Sequence, residues 1–357
     1  MIQSYKKNPT LAQHYDAIII GSGMGSLTTA AILAKEGKKV LVLERHYTAG
    51  GFTHIFKRRG FEWDVGIHYI GEVQRQSSVI KKLFDYISDA KIEWADMGDV
   101  YDKIIIGDKA FNFVKGVQNF KDNMLGYFPD EKQAIENYVR LVFEAIKTSQ
   151  QFYMDKALPP LISKIFGGKM RKPFYEFSDK TTYQVLASLT KNEELIKVLS
   201  GQYGDYGLPP KESSFVMHAA VARHYFAGGS FPVGGSSVIA NTIDKVIEKA
   251  GGTILISAEV DKIIIKNNKA TGVKMKDGSL FSAKHIISGA GIMTTYNKLL
   301  PDATVKKHQL KQTLQTVKRS VSHACLYIGL EGSPEDLNLP KTNYWIYPDK
   351  IDHDTAV

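Results

Sequence analysis

Residues 16–69 constrain this chain more than any other stretch. An apolar run, Ala17-Ile18-Ile19-Ile20, leads straight into Gly21-Ser22-Gly23-Met24-Gly25-Ser26. The small residues Thr28, Thr29, Ala30, Ala31 and Ala34 predict a helix over 27–35, which Gly37 ends. A second apolar run, Val40-Leu41-Val42-Leu43, delivers Glu44. Strand, turn, helix and strand in about thirty residues make a βαβ unit, the size of a mononucleotide-binding half.

Each part of that unit has a chemical task. Gly21 permits a tight turn out of the strand, and Gly23 lets the backbone come close to a pyrophosphate. A helix beginning near Gly25 would aim free N–H groups and the positive end of its dipole at phosphate charge. Glu44 follows Gly21 by 23 residues, near the roughly 20 expected of an acid that accepts from ribose hydroxyls. The third glycine of G-x-G-x-x-G is replaced by Ser26. That glycine serves close helix–strand packing, and serine is small enough to weaken the pattern without breaking it.

After Glu44 come Gly50-Gly51 and then Gly60-Phe61-Glu62-Trp63-Asp64-Val65-Gly66. This E-x5-G-G and G-x3-D-x-G series resembles the extended N-terminal signature of glutathione-reductase-like FAD oxidoreductases. The branch it resembles holds the amine oxidases, phytoene desaturases and carotenoid isomerases. Three further runs are similar to its retinol saturase subgroup: 61–71, Leu199 to Pro210, and Phe231-Pro232-Val233-Gly234-Gly235-Ser236-Ser237. The resemblance covers nearly the whole chain.

It implies an α/β fold, a Rossmann-like FAD-binding domain from 1–72 and 228–300, interrupted by an α+β substrate domain from 73–227 and 301–357. It implies FAD held by Gly21, Gly23, Gly25 and Ser26 at the phosphates and by Glu44, with Arg45 beside it, at the adenosine ribose. Gly50 and Gly51 permit close approach, the backbone of Val260 meets the adenine, and Gly289 lies near the flavin. One nucleotide fingerprint, spent on FAD, leaves NAD(P)H at most a transient electron donor. Relatives continue past residue 357 into a glycine-containing strand and helix over the flavin, so a C-terminal part is expected to be missing.

The 357 residues, 43% of them hydrophobic, suffice for two domains with a large core. The single cysteine, Cys325, excludes an internal disulfide framework, a cysteine-rich zinc site and paired redox cysteines. Its apolar neighbours, Ala324 and Leu326-Tyr327-Ile328, predict a core thiol. Residues 1–15 lack the apolar core of a signal peptide, and no uncharged apolar run reaches the length of a membrane span. The expected location is the cytoplasm, peripheral at the membrane if lipid is met.

A formal charge of +9 calls for an acidic partner. No zinc-finger, RNP-like or basic-helix pattern points to nucleic acid. Residues 158–172 mix apolar anchors with four cations, Lys164, Lys169, Arg171 and Lys172, as interfacial segments do. A solvated, half-buried helix is the plainer reading.

Within 73–227, residues 103–106 and 110–114 predict a hairpin turning at Gly107-Asp108, and apolar spacing predicts helices over 131–148 and 181–200. Its aromatics suit either a core or an apolar tunnel for a polyene. A helix over 238–249 and strands over 253–257, 260–265 and 271–275 follow, then strands over 321–330 and 343–347.

The ten histidines show no metal spacing, and no G-x-S-x-G nucleophile elbow is present. Flavin chemistry needs neither. Within the resemblance, saturation (or desaturation) at a carbon–carbon bond of a hydrophobic isoprenoid or retinoid-like polyene, by hydride transfer with the flavin, is the first expectation. Cis–trans isomerisation is the second, and a non-catalytic flavin-binding protein the third. Saturation also needs a proton donor, for which His68, Tyr69, His224 and Tyr225 are candidates, each equally readable as a packed core residue.

Overall fold

The computed structural model describes all residues except 1, 8–10, 13, 68, 316, 318–320 and 356–357. They divide into two compact units: Met1–His68, Gln76–Ala95 and Phe231–Arg319 in the first, Tyr69–Arg75, Asp96–Ser230 and Ser320–Val357 in the second.

The chain begins in the first unit with β1 (His14–Ile20), α1 (Met24–Lys35), β2 (Val40–Leu43), the antiparallel pair β3 (Ile55–Arg58) and β4 (Phe61–Asp64), and α2 (Val79–Ser88). It crosses to the second unit for β5 (Val100–Ile106), β6 (Lys109–Val114), α3 (Val117–Tyr127), α4 (Lys132–Ala157), α5 (Pro160–Ser178), α6 (Thr182–Leu189), α7 (Glu193–Ser200) and α8 (Phe215–Tyr225). It returns for α9 (Ser237–Lys249), β7 (Thr253–Ile256), β8 (Val260–Lys266), β9 (Lys269–Met275) and β10 (Leu280–Ser288). Last, β11 (Asn343–Tyr347) lies in the second unit.

The sheet of the first unit runs β7-β2-β1-β10-β9-β8, with the two-residue strand Gln3–Ser4 beyond β7. Strands β7, β2, β1 and β10 are mutually parallel, and β9 and β8 add antiparallel. A parallel sheet is covered on both faces, so its central strands must be apolar throughout. Ile18, Ile19 and all of Val40–Leu43 are buried accordingly. Ala30 and Ala31 of α1 have no exposed surface, and α1 lies against α9. Helix α2 also packs on α9, and Lys35 and Lys249 both reach Asp89 just beyond it, at 2.7 and 3.7 Å. Residues 76–95 therefore belong to the first unit, as do 301–319.

In the second unit, β11 runs parallel to β5, and β5 pairs antiparallel with β6 across Gly107-Asp108. Tyr101, Phe113, Phe120, Tyr138 and Phe215 are buried together in its core. These aromatics serve packing, the plainer of the two expectations for them.

Three local expectations fail. Residues 181–200 form two helices because the Asn192 side chain accepts the N–H groups of Glu194 and Leu195, at 3.1 Å each, and so starts a second helix. Residues 321–330 form no strand, because β-type composition alone does not build a ladder. Cys325, in that segment, is exposed rather than part of the core.

Candidate functional site

In an open parallel sheet, ligands bind outside the carboxyl ends of the strands where the strand order reverses. Here the chain leaves β1 toward β2 on one side, and β10 flanks β1 on the other. Gly21, Glu44 and Gly289 immediately follow β1, β2 and β10. Hydrogen bonds bind the three ends together: Gly21 N–H to the Leu43 carbonyl and Gly289 N–H to the Ile20 carbonyl, both 2.8 Å.

These residues open onto a cavity of about 940 Å³, near the upper end of the roughly 300–1,000 Å³ usual for ligand sites. Of the sequence-predicted cofactor residues, Gly21, Gly23, Glu44, Arg45, Gly50, Gly51, Val260 and Gly289 line it, whereas Gly25 and Ser26 do not. Ser26 is buried in α1, against Gly289.

The glycines differ in why they must be glycine. Gly21 has φ +92°, and Gly51 has φ +58° with room for no β-carbon, since one would stand 2.9 Å from the Gly23 Cα. A β-carbon on Gly50 would meet the Thr53 hydroxyl at 2.7 Å. Gly23 is another case. It caps α1 at φ −64°, ψ 168°, a conformation open to any residue, and a β-carbon there would meet no protein atom within 4 Å. Nothing in the protein itself demands glycine at the start of this helix, so the space in front of Gly23 is a cradle that a side chain would fill.

Glu44 is half-buried and already engaged. Its Oε2 accepts from the Ser22 N–H (2.9 Å) and the Ser22 hydroxyl (2.7 Å), and its Oε1 from the His46 N–H (2.8 Å). A carboxylate offers about four acceptor positions, so Oε1 keeps one for a ligand. Ser22 has no exposed surface, and its hydroxyl also accepts the Gly50 N–H at 3.1 Å, tying the glycine turn to the Gly50-Gly51 turn. Sequence reasoning missed Ser22, because a variable position inside G-x-G carries no signal. The motif carboxylate Asp64 turns away from ligand duty too: it accepts the Ser236 N–H at 2.8 Å, and the Ser236 hydroxyl donates to the Thr53 carbonyl at 3.0 Å.

The remaining lining mixes charge of both signs. Arg45, Lys262, Lys276 and Lys298 face Glu44, Glu259 and Asp261 around the cavity.

Of the proton-donor candidates, His68 lies outside the described residues. Tyr69, His224 and Tyr225 fall in the second unit, where Tyr69 and Tyr225 are buried and His224 half-buried in a polar network. The Tyr69 hydroxyl donates to Asp102, 2.7 Å from either carboxylate oxygen. Burial and the Asp102 charge push the Tyr69 hydroxyl far above the ordinary tyrosine range, and burial raises Asp102 as well. Giving up the Tyr69 proton would leave a tyrosinate against a carboxylate, so Tyr69 holds its proton rather than releasing it. His224 Nε2 accepts the Gly71 N–H at 2.7 Å. An amide can only donate, so the ring proton sits on Nδ1, and burial lowers the imidazole to about 4. The Tyr225 ring lies 4.4 Å from that of Tyr69. Asp102 was also missed, although the alternation Asp102, Ile104, Ile106 places it on the inward face of β5, where both isoleucines are buried. Among the described residues, no group of three or more His, Cys, Asp or Glu side chains is placed to hold a metal ion.

The family of NAD(P)-binding Rossmann-like domains matches residues 19–87. Over 346 residues, 94% of the chain, the sequence is 36% identical to all-trans-retinol 13,14-reductase of Danio rerio, and over 367 residues, 99% of the chain, it is 35% identical to that of Homo sapiens. By sequence, the chain is a retinol 13,14-reductase relative. It spans 57% and 60% of the length of those two proteins. A more distant likeness, 27% identity over 81% of the chain and 50% of the other, links it to prolycopene isomerase 1 of an Oncidium hybrid cultivar. In fold it is similar to an oxidoreductase from Methanosarcina mazei, with a TM-score of 0.57 at 21% identity, covering 85% of this chain and 65% of that one. The retinol reductase relative thus has a Rossmann-like α/β sheet with a large cavity at its switch point.

Proposed function

We propose that this chain binds FAD in the 940 Å³ cavity and forms the cofactor-binding part of an oxidoreductase that saturates a carbon–carbon double bond of a hydrophobic polyene. The observation that carries the cofactor assignment is Gly23, a glycine with ordinary backbone angles and open space before it at the head of α1. A pyrophosphate brought against that backbone gives the missing side chain a reason. The substrate class rests on the likeness to the retinol reductases and the prolycopene isomerase.

Bound FAD would supply hydride exchange with the polyene. The chain's own groups bind and orient it. The N-terminus of α1 directs its free N–H groups and dipole at the diphosphate. Glu44 offers its remaining acceptor position to the adenosine ribose, with Arg45 beside it and the Val260 backbone at the adenine. Gly25 keeps the first turn of α1 bare, Gly50 and Gly51 let the chain pass close to the cofactor, and Gly289 ends β10 near the ring. The lysines of the lining offset the diphosphate charge. NAD(P)H is then a transient electron donor, since the one fingerprint is used by FAD.

Titration with FAD, NADH and NADPH, followed by flavin and nicotinamide fluorescence, tests the assignment. Saturable binding of FAD in preference to both nicotinamides is expected, and the reverse order would overturn it. Incubation with all-trans-retinol and with lycopene isomers under dithionite then reads the chemistry. A product that gains two hydrogens supports saturation. A product of unchanged mass and altered geometry favours the isomerase reading, to which the likeness to prolycopene isomerase points.

A further inference from the structure

Helices α4 and α5 lie against each other and are joined through Leu158 and Pro159. Pro160 opens α5, where its missing N–H costs nothing. The two helices are fastened on their inner side by Asp155, which is buried. It accepts from the Ser163 hydroxyl at 2.8 Å and from Arg171 at 2.6 Å. These partners, Ser163 first, hold its carboxyl below the usual range. Gly167 lets the α5 backbone pass, since a β-carbon there would collide with Asp155.

The outer side is the reverse of what a soluble helix presents. Leu161 (78% exposed), Ile165 (73%), Ile162 and Phe166 stand out of α5, and Tyr153 (67%) and Met154 stand out of the end of α4. Positions 161, 162, 165 and 166 share one side of a helix. Single exposed apolar residues are ordinary, but four on one side of α5 with two more at the adjoining end of α4 make a patch of the kind that marks an interaction site.

Charge identifies the partner. Residues 151–175 hold five cations, Lys156, Lys164, Lys169, Arg171 and Lys172, and one carboxylate, Asp155. Arg171 neutralises that carboxylate inside the hairpin, and the four lysines are exposed. Lys169 and Lys172 continue the side of α5 that carries Leu161 and Ile165, one to two turns farther on. An apolar tip backed by a lysine collar matches the two layers of an anionic leaflet: acyl boundary, then phosphate headgroups reached by snorkelling lysine stems. Among the described residues no helix is long and apolar enough to cross a membrane, so the contact is with one leaflet.

We propose that the α4–α5 tip inserts into the headgroup region of an anionic bilayer, with Leu161, Ile162, Ile165 and Phe166 as the anchors and the lysine collar on the lipid phosphates. The inference is independent of the cofactor assignment, and its test uses no flavin.

Flotation of the 357-residue chain with phosphatidylcholine vesicles, with and without about 30% phosphatidylserine, reads the contact. The chain is expected to float with the anionic vesicles, and less in high salt. Each cation at an anionic surface contributes roughly a factor of five, so Lys164→Gln with Lys169→Gln should lower partitioning about 25-fold. Ile165→Glu with Phe166→Glu should abolish flotation while leaving the circular-dichroism melting curve unchanged, because both side chains are exposed. Leu161→Trp should shift its emission to the blue with anionic vesicles only. Flotation of the Ile165→Glu, Phe166→Glu variant at the level of the unaltered chain would overturn the proposal. So would a concentration-dependent dimer that this variant abolishes without any uptake by vesicles, which would assign the patch to a second copy of the chain.

Discussion

The Ser26 hydroxyl fills the space that a β-carbon on Gly289 would occupy. In the three-glycine fingerprint the position of Ser26 is bare so that helix and sheet can approach. Here the bare position has moved across the contact, to the end of β10. Gly289→Ala should then cost about 1–3 kcal/mol by overpacking, and most of that loss should vanish in a Ser26→Gly background. Urea unfolding of both single variants and the double variant measures the coupling. Additive costs would show that the two positions do not share this space.

Gly23 and Gly51 should separate binding from stability. At Gly23 a β-carbon meets nothing and the backbone is already extended, so Gly23→Val should leave the melting temperature within a few degrees and eliminate FAD binding. At Gly51, φ is +58° and the Gly23 Cα would stand 2.9 Å from a β-carbon, so Gly51→Ala should lower the melting temperature itself. Retained FAD in Gly23→Val would remove the phosphate cradle from the site.

These outcomes bear on what a sequence makes legible. The turn after β1 was readable because glycine need is a backbone property, fixed within a few residues. The extent of β2 was readable because both faces of a parallel strand must be apolar. The break between α6 and α7 was not, because it depends on one side chain, Asn192, choosing to cap rather than continue. The segment around Cys325 misled for a different reason. A strand exists only beside a partner, and its own composition cannot report whether one is there. The exposed tip of α5 was visible as a mixture of apolar and basic residues, but which side faces out depends on Asp155 meeting Ser163 and Arg171.

Glu44 needs a finer variant than alanine. Its carboxylate accepts three hydrogen bonds from Ser22 and His46, so Glu44→Ala strips both the loop and any ribose contact. Glu44→Gln keeps one acceptor oxygen for Ser22 and replaces Oε1 by a donor. Loss of the ribose bond should weaken FAD binding by about 1–3 kcal/mol, with a smaller change in urea midpoint than Glu44→Ala shows. Equal FAD affinity for Glu44→Gln and the unaltered chain, measured by fluorescence titration, would reduce Glu44 to a loop support.

Acid should weaken the second unit through two histidines. His218 is buried with Nε2 2.9 Å from the Tyr138 hydroxyl and Nδ1 3.2 Å from that of Tyr206, and His224 accepts from the Gly71 N–H. Burial lowers each from 6.5 to about 4. A depressed group stabilises the fold fully above its unfolded value, and that contribution is lost as pH falls toward the folded one. The window is therefore about 6.5 down to about 4, and the loss is at most on the order of 3 kcal/mol per histidine. Asp102, raised by burial, acts with the opposite sign, since its protonation favours the folded state. It is untouched in a His218→Gln, His224→Gln variant, so the difference between variant and unaltered chain isolates the imidazoles. Unfolding free energies from about pH 7 to about pH 4.5 should fall steeply for the unaltered chain and less steeply for the variant. Parallel slopes would mean that the two rings stay neutral at no cost to the fold, and that the acid sensitivity lies with the carboxylates.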